Sequence, residues 1–344
     1  MADRSRFQLG LVVGKFSPLH QGHMLVIDHA AQRCDRLLIL SYANPEFQGC
    51  KANLRRRWLT QLYPQHECVV VDEDWLALTC KAKGVSYQAL PPNDASDLVQ
   101  QHYLAYLLKD VLGRFPNAMF ASESYLYPCA DVISNALTTL VSPIMVDLDR
   151  IKVPVSGTLL RADTAQNWPF LPPVVRADWV QRIVLLGGES SGKTTLARAL
   201  AQALGTQWVP EYGRELWDQQ DGQLSPDDLL RIAQVQGQRE DAAALISGPW
   251  LVCDTTVLTT LGYSLWMFGQ LDPRIEALAQ RPYALTVLCA GDFPFEQDGT
   301  RRDVDFQQRQ HQWYLAQFKL RGIPFIEVNG PFEARLEHLL SFCR

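Results

Sequence analysis

The chain has 344 residues, 47% of them hydrophobic and 20% charged, a globular composition long enough for two domains. A net charge of −5 supplies no global basic field for nucleic acid, so no DNA partner is expected, and no apolar run reaches the roughly 20 residues of a membrane helix. The polar N-terminus lacks an apolar signal core and the eight scattered cysteines include no C-x-x-C pair, which predicts a reduced, cytoplasmic protein without a zinc ribbon.

Residues 8–13 (QLGLVV) form a short apolar run ending at Gly14, followed by a glycine-containing loop and a helical stretch. Strand, tight loop and helix are the opening unit of a parallel α/β domain. In Gly14-Lys15-Phe16-Ser17-Pro18-Leu19-His20-Gln21-Gly22-His23, the two histidines are three apart and share a face at a helix start. Gly22 permits close approach of a ligand to the backbone, while Lys15 and the helix N-terminus add positive potential. Two imidazoles, a lysine and bare amides suit a triphosphate better than a metal. A zinc ion would want a third ligand, and Cys34 is the close candidate. Further buried strands are expected at 36–40, 69–71, 118–121 and 144–146. Ser156 is placed to cap a helix whose free N–H groups face an anion, with Arg161 projecting back over the same end. Paired with the histidine stretch, this makes a second phosphate grip.

The aromatic-proline run at 168–173 (WPFLPP) reads as a linker, because proline removes backbone donors and breaks regular elements. The predicted domains are 1–165 and 181–344, joined by a proline-rich linker at 166–180. Residues 181–186 (QRIVLL) start a second strand-loop-helix unit, with further strands expected at 250–253, 285–289 and 324–328. The loop Gly187-Gly188-Glu189-Ser190-Ser191-Gly192-Lys193-Thr194 fits G-x-x-x-x-G-K-[ST], in which backbone N–H groups turn inward around phosphate oxygens. Lys193 can reach the β- and γ-phosphates, and Thr194 can ligate Mg²⁺. Asp254 ends an apolar strand where ligands bind, and can hold Mg²⁺ through water or accept a proton. Glu211 is a candidate for binding ribose hydroxyls or acting as base. In Asp298-Gly299-Thr300-Arg301-Arg302, a glycine hinge carries two arginines that can close over a transferring phosphoryl group. Asn329-Gly330 is a candidate border of the adenine.

Taken together, these motifs resemble the NadR family. The G-K-F-x-P-L-H-x-G-H stretch and the later S-x-T-x-x-R look like the nucleotidyltransferase superfamily, and the GGESSGKT loop with E-Y-G-R-E is similar to the kinase half of NadR. The resemblance runs from about residue 8 to the end of the chain. It implies a Rossmann-like nucleotidyltransferase domain followed by a P-loop NTPase-fold kinase domain, both α/β with parallel sheets. The kinase would phosphorylate ribosylnicotinamide to nicotinamide mononucleotide (NMN), and the transferase would join NMN to AMP from ATP, giving NAD and pyrophosphate. The alternative is an NMN adenylyltransferase whose P-loop domain is a nucleotide sensor. Implied partners are ATP, NMN, ribosylnicotinamide and NAD, with Mg²⁺ as cofactor; a homo-oligomer is allowed.

Carried over onto this chain, the transferase ATP site is Gly14, Lys15, Phe16, His20, Gly22, His23, Ser156, Thr158 and Arg161. The kinase ATP site is the loop from Gly187 to Thr195 with Arg301 and Arg302. Substrate candidates are Arg57, Ser122, Glu123, Trp208, Tyr212 and Arg214. Two positions depart from the family pattern: Pro210 stands where an aromatic residue usually precedes E-Y-x-R, and Thr256 where an acidic residue is usual. The first expected strand starts about eight residues from Met1, so the helix-turn-helix region that some NadR proteins carry is not expected.

Overall fold

The first apolar run becomes strand β1, Phe7–Val13, in a computed structural model that describes residues 6–293 and 303–343. Four more strands follow: β2 at Cys34–Tyr42, β3 at Glu67–Val71, β4 at Ala118–Ala121 and β5 at Ser142–Met145. They form one parallel sheet in the order β3-β2-β1-β4-β5. β1 is central, with Leu11 paired to Leu38 on one side and Met119 on the other. Helices cover both faces of such a sheet, so its inner strands read as unbroken apolar runs instead of alternating ones. β5 is an edge strand, which is why it tolerates Pro143, a residue with no ladder N–H to give.

The second unit repeats the plan. Strands β6 (Gln181–Gly187), β7 (Gln207–Val209), β8 (Trp250–Asp254), β9 (Leu285–Cys289) and β10 (Ile326–Val328) are parallel in the order β10-β9-β6-β8-β7. Ile183, Leu185, Val252 and Val287 from its central strands pack with Leu196, Leu200 and Leu339 from the flanking helices. In both sheets the strand order reverses beside the first strand. That reversal opens a crevice at the carboxyl ends, where open α/β sheets bind ligands. The glycine-rich loops after β1 and β6 both lie there.

The chain divides into Met1–Val175 and Arg176–Arg344. The segment expected as an irregular linker differs from that reading. It holds a 3₁₀ turn at Trp168–Phe170 and an α-helix at Pro173–Trp179, with Trp168, Leu171 and Val175 buried. Proline at a first helical position has no N–H to leave unpaired, so Pro173 starts a helix where the sequence reading had an irregular linker. Among the described residues, no helix is long and apolar enough to cross a membrane.

Candidate active sites

In the first unit, His20 caps helix Gln21–Arg33: its Nδ1 accepts from the Gly22 N–H at 3.1 Å. A neutral imidazole used this way must carry its proton on Nε2, which is left as a donor. His23 lies one turn on, and the two rings stack with centroids 3.7 Å apart. Phe16 meets the other side of His23 edge-on at 4.9 Å. Gly22 is needed for this geometry, since a Cβ there would sit 3.0 Å from the His20 ring. Both histidines are held neutral. Burial, then Arg150 and Arg161, lower His20 to about 3; burial, then His20 and Arg150, push His23 well below its usual range. The Nδ1 of His23 is buried without a hydrogen-bond partner among the described residues.

The second grip closes on the same cavity. Ser156 accepts from the Leu159 N–H at 3.2 Å and starts helix Gly157–Ala162. One turn on, Arg161 folds back to donate to the Ser17 carbonyl and to Thr158 Oγ1. Gly157 leaves room for it, because a Cβ there would lie 3.1 Å from the guanidinium and 3.2 Å from Ser17 O. The Arg161 guanidinium lies over the Phe47 ring at 4.2 Å. Lys15 donates to the Asn93 carbonyl at 3.1 Å, and burial with Arg161 lowers its pKa. The result is a cavity of about 510 Å³ where Lys15, Arg150 and Arg161 converge on two neutral imidazoles. Glu123 pairs Arg150 at 2.9 Å and Asp97 and Asp147 also line the wall, while the Lys15 and Arg161 side chains bond backbone carbonyls and remain cationic donors that can turn to an anion.

In the second unit, the loop after β6 has its phosphate-cradling shape. Gly187 has φ +150°, and a Cβ there would meet Cys289 O at 2.6 Å, so this position accepts only glycine. Lys193 donates to the Gly188 carbonyl at 2.8 Å, as does Ser191 Oγ. Glu189 is gripped at three points: Gln310 accepts from its N–H at 2.8 Å, Gln307 donates to its carbonyl at 2.6 Å, and Tyr263 donates to its carboxylate at 3.0 Å. Asp254, at the end of β8, is buried with Oδ1 lacking a partner among the described residues. Burial raises its pKa against the opposing pull of the Thr194 hydroxyl, Lys193, Arg198 and Arg214. Glu211 is raised to about 7 by burial and by Asp254, with Lys193 and Arg214 acting the other way. Thr255 follows Asp254 with φ +72°, a strained conformation for a β-branched residue. Its hydroxyl bonds Thr259, which bonds the Tyr314 hydroxyl at 2.7 Å, so a buried chain holds the bend.

The sequence candidates fall into these cavities unevenly. Gly14, Lys15, Phe16, His20, Gly22, His23, Ser122, Glu123, Ser156, Thr158 and Arg161 line the first. Arg57 does not; it is exposed on helix Ala52–Leu62, whose buried arginine is Arg55. Gly187, Glu189, Ser190, Ser191, Gly192, Lys193, Thr194, Thr195, Trp208, Glu211, Arg214 and Asp254 line the second cavity, of about 550 Å³. Gly188 instead packs under Gln307. Tyr212 is buried beneath Arg239 and is not a wall residue. Gly330 is spent on Asp292, to which its N–H donates at 2.6 Å, and neither it nor Asn329 lines that cavity. Arg301 and Arg302 lie outside the described residues. Sequence reasoning missed Phe47, Asn93, Trp217, Met267 and Gln310, which reach the cavities from loops and helices without a motif of their own.

The pattern described as an AAA domain matches residues 182–335. The trifunctional NAD biosynthesis/regulator protein NadR of Salmonella typhimurium is 26% identical over 345 residues, covering 95% of this chain and 80% of that protein. The protein of the same name from Escherichia coli is 25% identical with the same coverage. A crystal structure of NadR in complex with NAD and AMP-PNP superposes with a TM-score of 0.70 at 19% identity, over 97% of this chain and 94% of that one. A NadR structure in complex with NR gives 0.69 over the same shares. The chain is thus a homologue of NadR along nearly its whole length, with two parallel-sheet α/β units in the NadR fold.

Proposed function

We propose that the chain is a bifunctional NAD salvage enzyme: its second unit phosphorylates ribosylnicotinamide to NMN, and its first adenylylates NMN to NAD with release of pyrophosphate. One observation carries this reading: each sheet has its own phosphate grip at its own crevice, and the second sets a half-buried carboxylate, Glu211, near the buried Asp254. Adenylyl transfer needs charge stabilisation alone, whereas phosphorylating a hydroxyl also needs a proton acceptor. NAD biosynthesis in the names of the relatives supports the same pair of reactions.

In the first unit, the NMN phosphate attacks the α-phosphorus of ATP in line, and the bond to the β-phosphate breaks. Negative charge grows on the departing pyrophosphate. His20 donates to it through Nε2, while Lys15 and Arg161 neutralise it. In the second, the 5′-hydroxyl attacks the γ-phosphorus and ADP leaves. Glu211, raised to about 7, is tuned to take the hydroxyl proton. Lys193 exchanges the Gly188 carbonyl for a phosphate oxygen. The orphaned Asp254 oxygen beside Thr194 fits a divalent cation, and these two residues would hold Mg²⁺, which neutralises the β- and γ-oxygens when bound. A P-loop unit that merely sensed nucleotide would still use Asp254 for Mg²⁺ but would have no use for a proton acceptor at Glu211. Eight free cysteines suit a reducing cytoplasm.

The test is a product assay with ATP and Mg²⁺. Ribosylnicotinamide should yield NMN and then NAD, and NMN alone should yield NAD and pyrophosphate. NAD from NMN with no phosphorylation of ribosylnicotinamide would reduce the second unit to a sensor.

A further inference from the structure

Helix Ala52–Leu62 carries three consecutive arginines, and the middle of the protein takes only one of them. Arg55 is fully buried. Its guanidinium donates to four acceptors: Cys50 O at 3.0 Å, Ser41 Oγ at 2.7 Å, Lys15 O at 3.4 Å and the Glu46 carboxylate at 2.9 Å. Burying an arginine is costly unless its charge is paired and its donors are used, and both conditions hold here.

The target of this network is one carbonyl. Lys15 O also receives Ser41 Oγ at 3.2 Å and Ser17 Oγ at 2.9 Å. Three donors on one oxygen fix the peptide that joins Lys15 to Phe16. Phe16 then turns with φ +46°, which a bulky residue avoids unless its surroundings impose it. That turn sends the Lys15 ammonium to Asn93 in the cavity wall and the Phe16 ring against His23. The same guanidinium holds Glu46 and Cys50, which flank Phe47, the ring beneath Arg161. One buried cation therefore ties together both sides of the phosphate grip.

We infer that Arg55 is a positioning residue of the transferase site, acting through the Lys15 carbonyl and Phe47 without touching substrate. The inference rests on the adenylyltransferase reading for its kinetic consequence, though the geometry it describes does not.

The experiment compares Arg55→Lys and Ser41→Ala with the parent chain. Ser41→Ala deletes the hydroxyl that relays the guanidinium to Lys15 O and takes the shortest acceptor from the buried guanidinium, leaving its longer direct contact with Lys15 O at 3.4 Å and the Ser17 donor in place. For both variants, kcat/KM for NAD formation should fall by on the order of 10–100-fold, as expected when a charge-stabilising group is displaced by about 1 Å. Amides in 14–18 and 46–50 should exchange hydrogen faster, and phosphorylation of ribosylnicotinamide should continue at the parent rate as an internal control. Where Arg55→Lys does not fold, Ser41→Ala alone decides. Unchanged NAD formation and unchanged exchange at 14–18 in Ser41→Ala would overturn the inference. If the parent chain makes no NAD from NMN, the adenylyltransferase reading fails instead, and the exchange comparison still decides whether Arg55 holds the loop.

Discussion

His23 is half-buried, held neutral and stacked on His20 with Phe16 edge-on to it, so its loss removes a group poised beside developing charge and leaves the second unit untouched. His23→Ala should lower NAD formation from NMN by on the order of 10²–10³-fold while NMN formation from ribosylnicotinamide continues. Wild-type NAD formation in the variant would remove His23 from the site. Glu211 gives the second unit a pH dependence. Its carboxyl must be ionised to accept a proton, and burial beside Asp254 raises it to about 7. Phosphorylation, measured as kcat/KM, should therefore fall as pH drops through about 7, and Glu211→Gln should lose both the rate and this acidic limb. A limb that persists in Glu211→Gln would assign the titration elsewhere. Trp208 serves two masters. It lines the cavity and packs on the β-sheet core, while Arg198 lies over its ring at 4.6 Å. Trp208→Leu should raise KM for ribosylnicotinamide several-fold, leave KM for ATP unchanged and lower the melting temperature. Unchanged KM values with a lowered melting temperature would make it a core residue alone.

At the scale of elements, the end of β6 is the tightest point of the second unit. Gly187→Ala would drive a Cβ into Cys289 O and force a side chain onto φ +150°, a strain of order 1–3 kcal/mol. The variant should lose kinase activity and unfold its second unit at lower temperature, while NAD formation from NMN persists; full kinase activity would show that the loop can relax. Both glycine-rich loops were legible in the sequence because each needs fixed residue types at fixed spacing directly after a strand. The order of the strands was not, since parallel neighbours are set by contacts far apart in the chain. The helix at Ala52–Leu62 shows an intermediate case. Three adjacent arginines give no composition signal, but Arg55 lies three residues after the buried Ala52, three before Trp58 and four before Leu59. That 3–4 spacing puts it on the apolar face and Arg57 on the wet one. Helical phase, applied to charged residues as strictly as to apolar ones, would have found it. Phe47 and Trp217 carry no such mark, because their place in a cavity wall depends on where other elements bring the chain. The proline run at 168–173 misled for a local reason: Pro173 occupies the one helical position where proline costs nothing.

For the molecule as a whole, two crevices on two sheets mean that NMN leaves one site before it enters the other. A mixture of His23→Ala and Lys193→Ala proteins, each strongly impaired in making NAD from ribosylnicotinamide alone, should make it far faster together, with NMN appearing first in solution. The rate should rise with the concentration of each variant. Failure of the mixture, with each partner's remaining activity intact, would mean that NMN never reaches bulk solvent in the parent chain. The two grips share no residue. A substitution that silences one is therefore invisible to selection acting on the other, and a lineage fed NMN from another source can let the P-loop unit decay while the adenylylating half stays under full constraint.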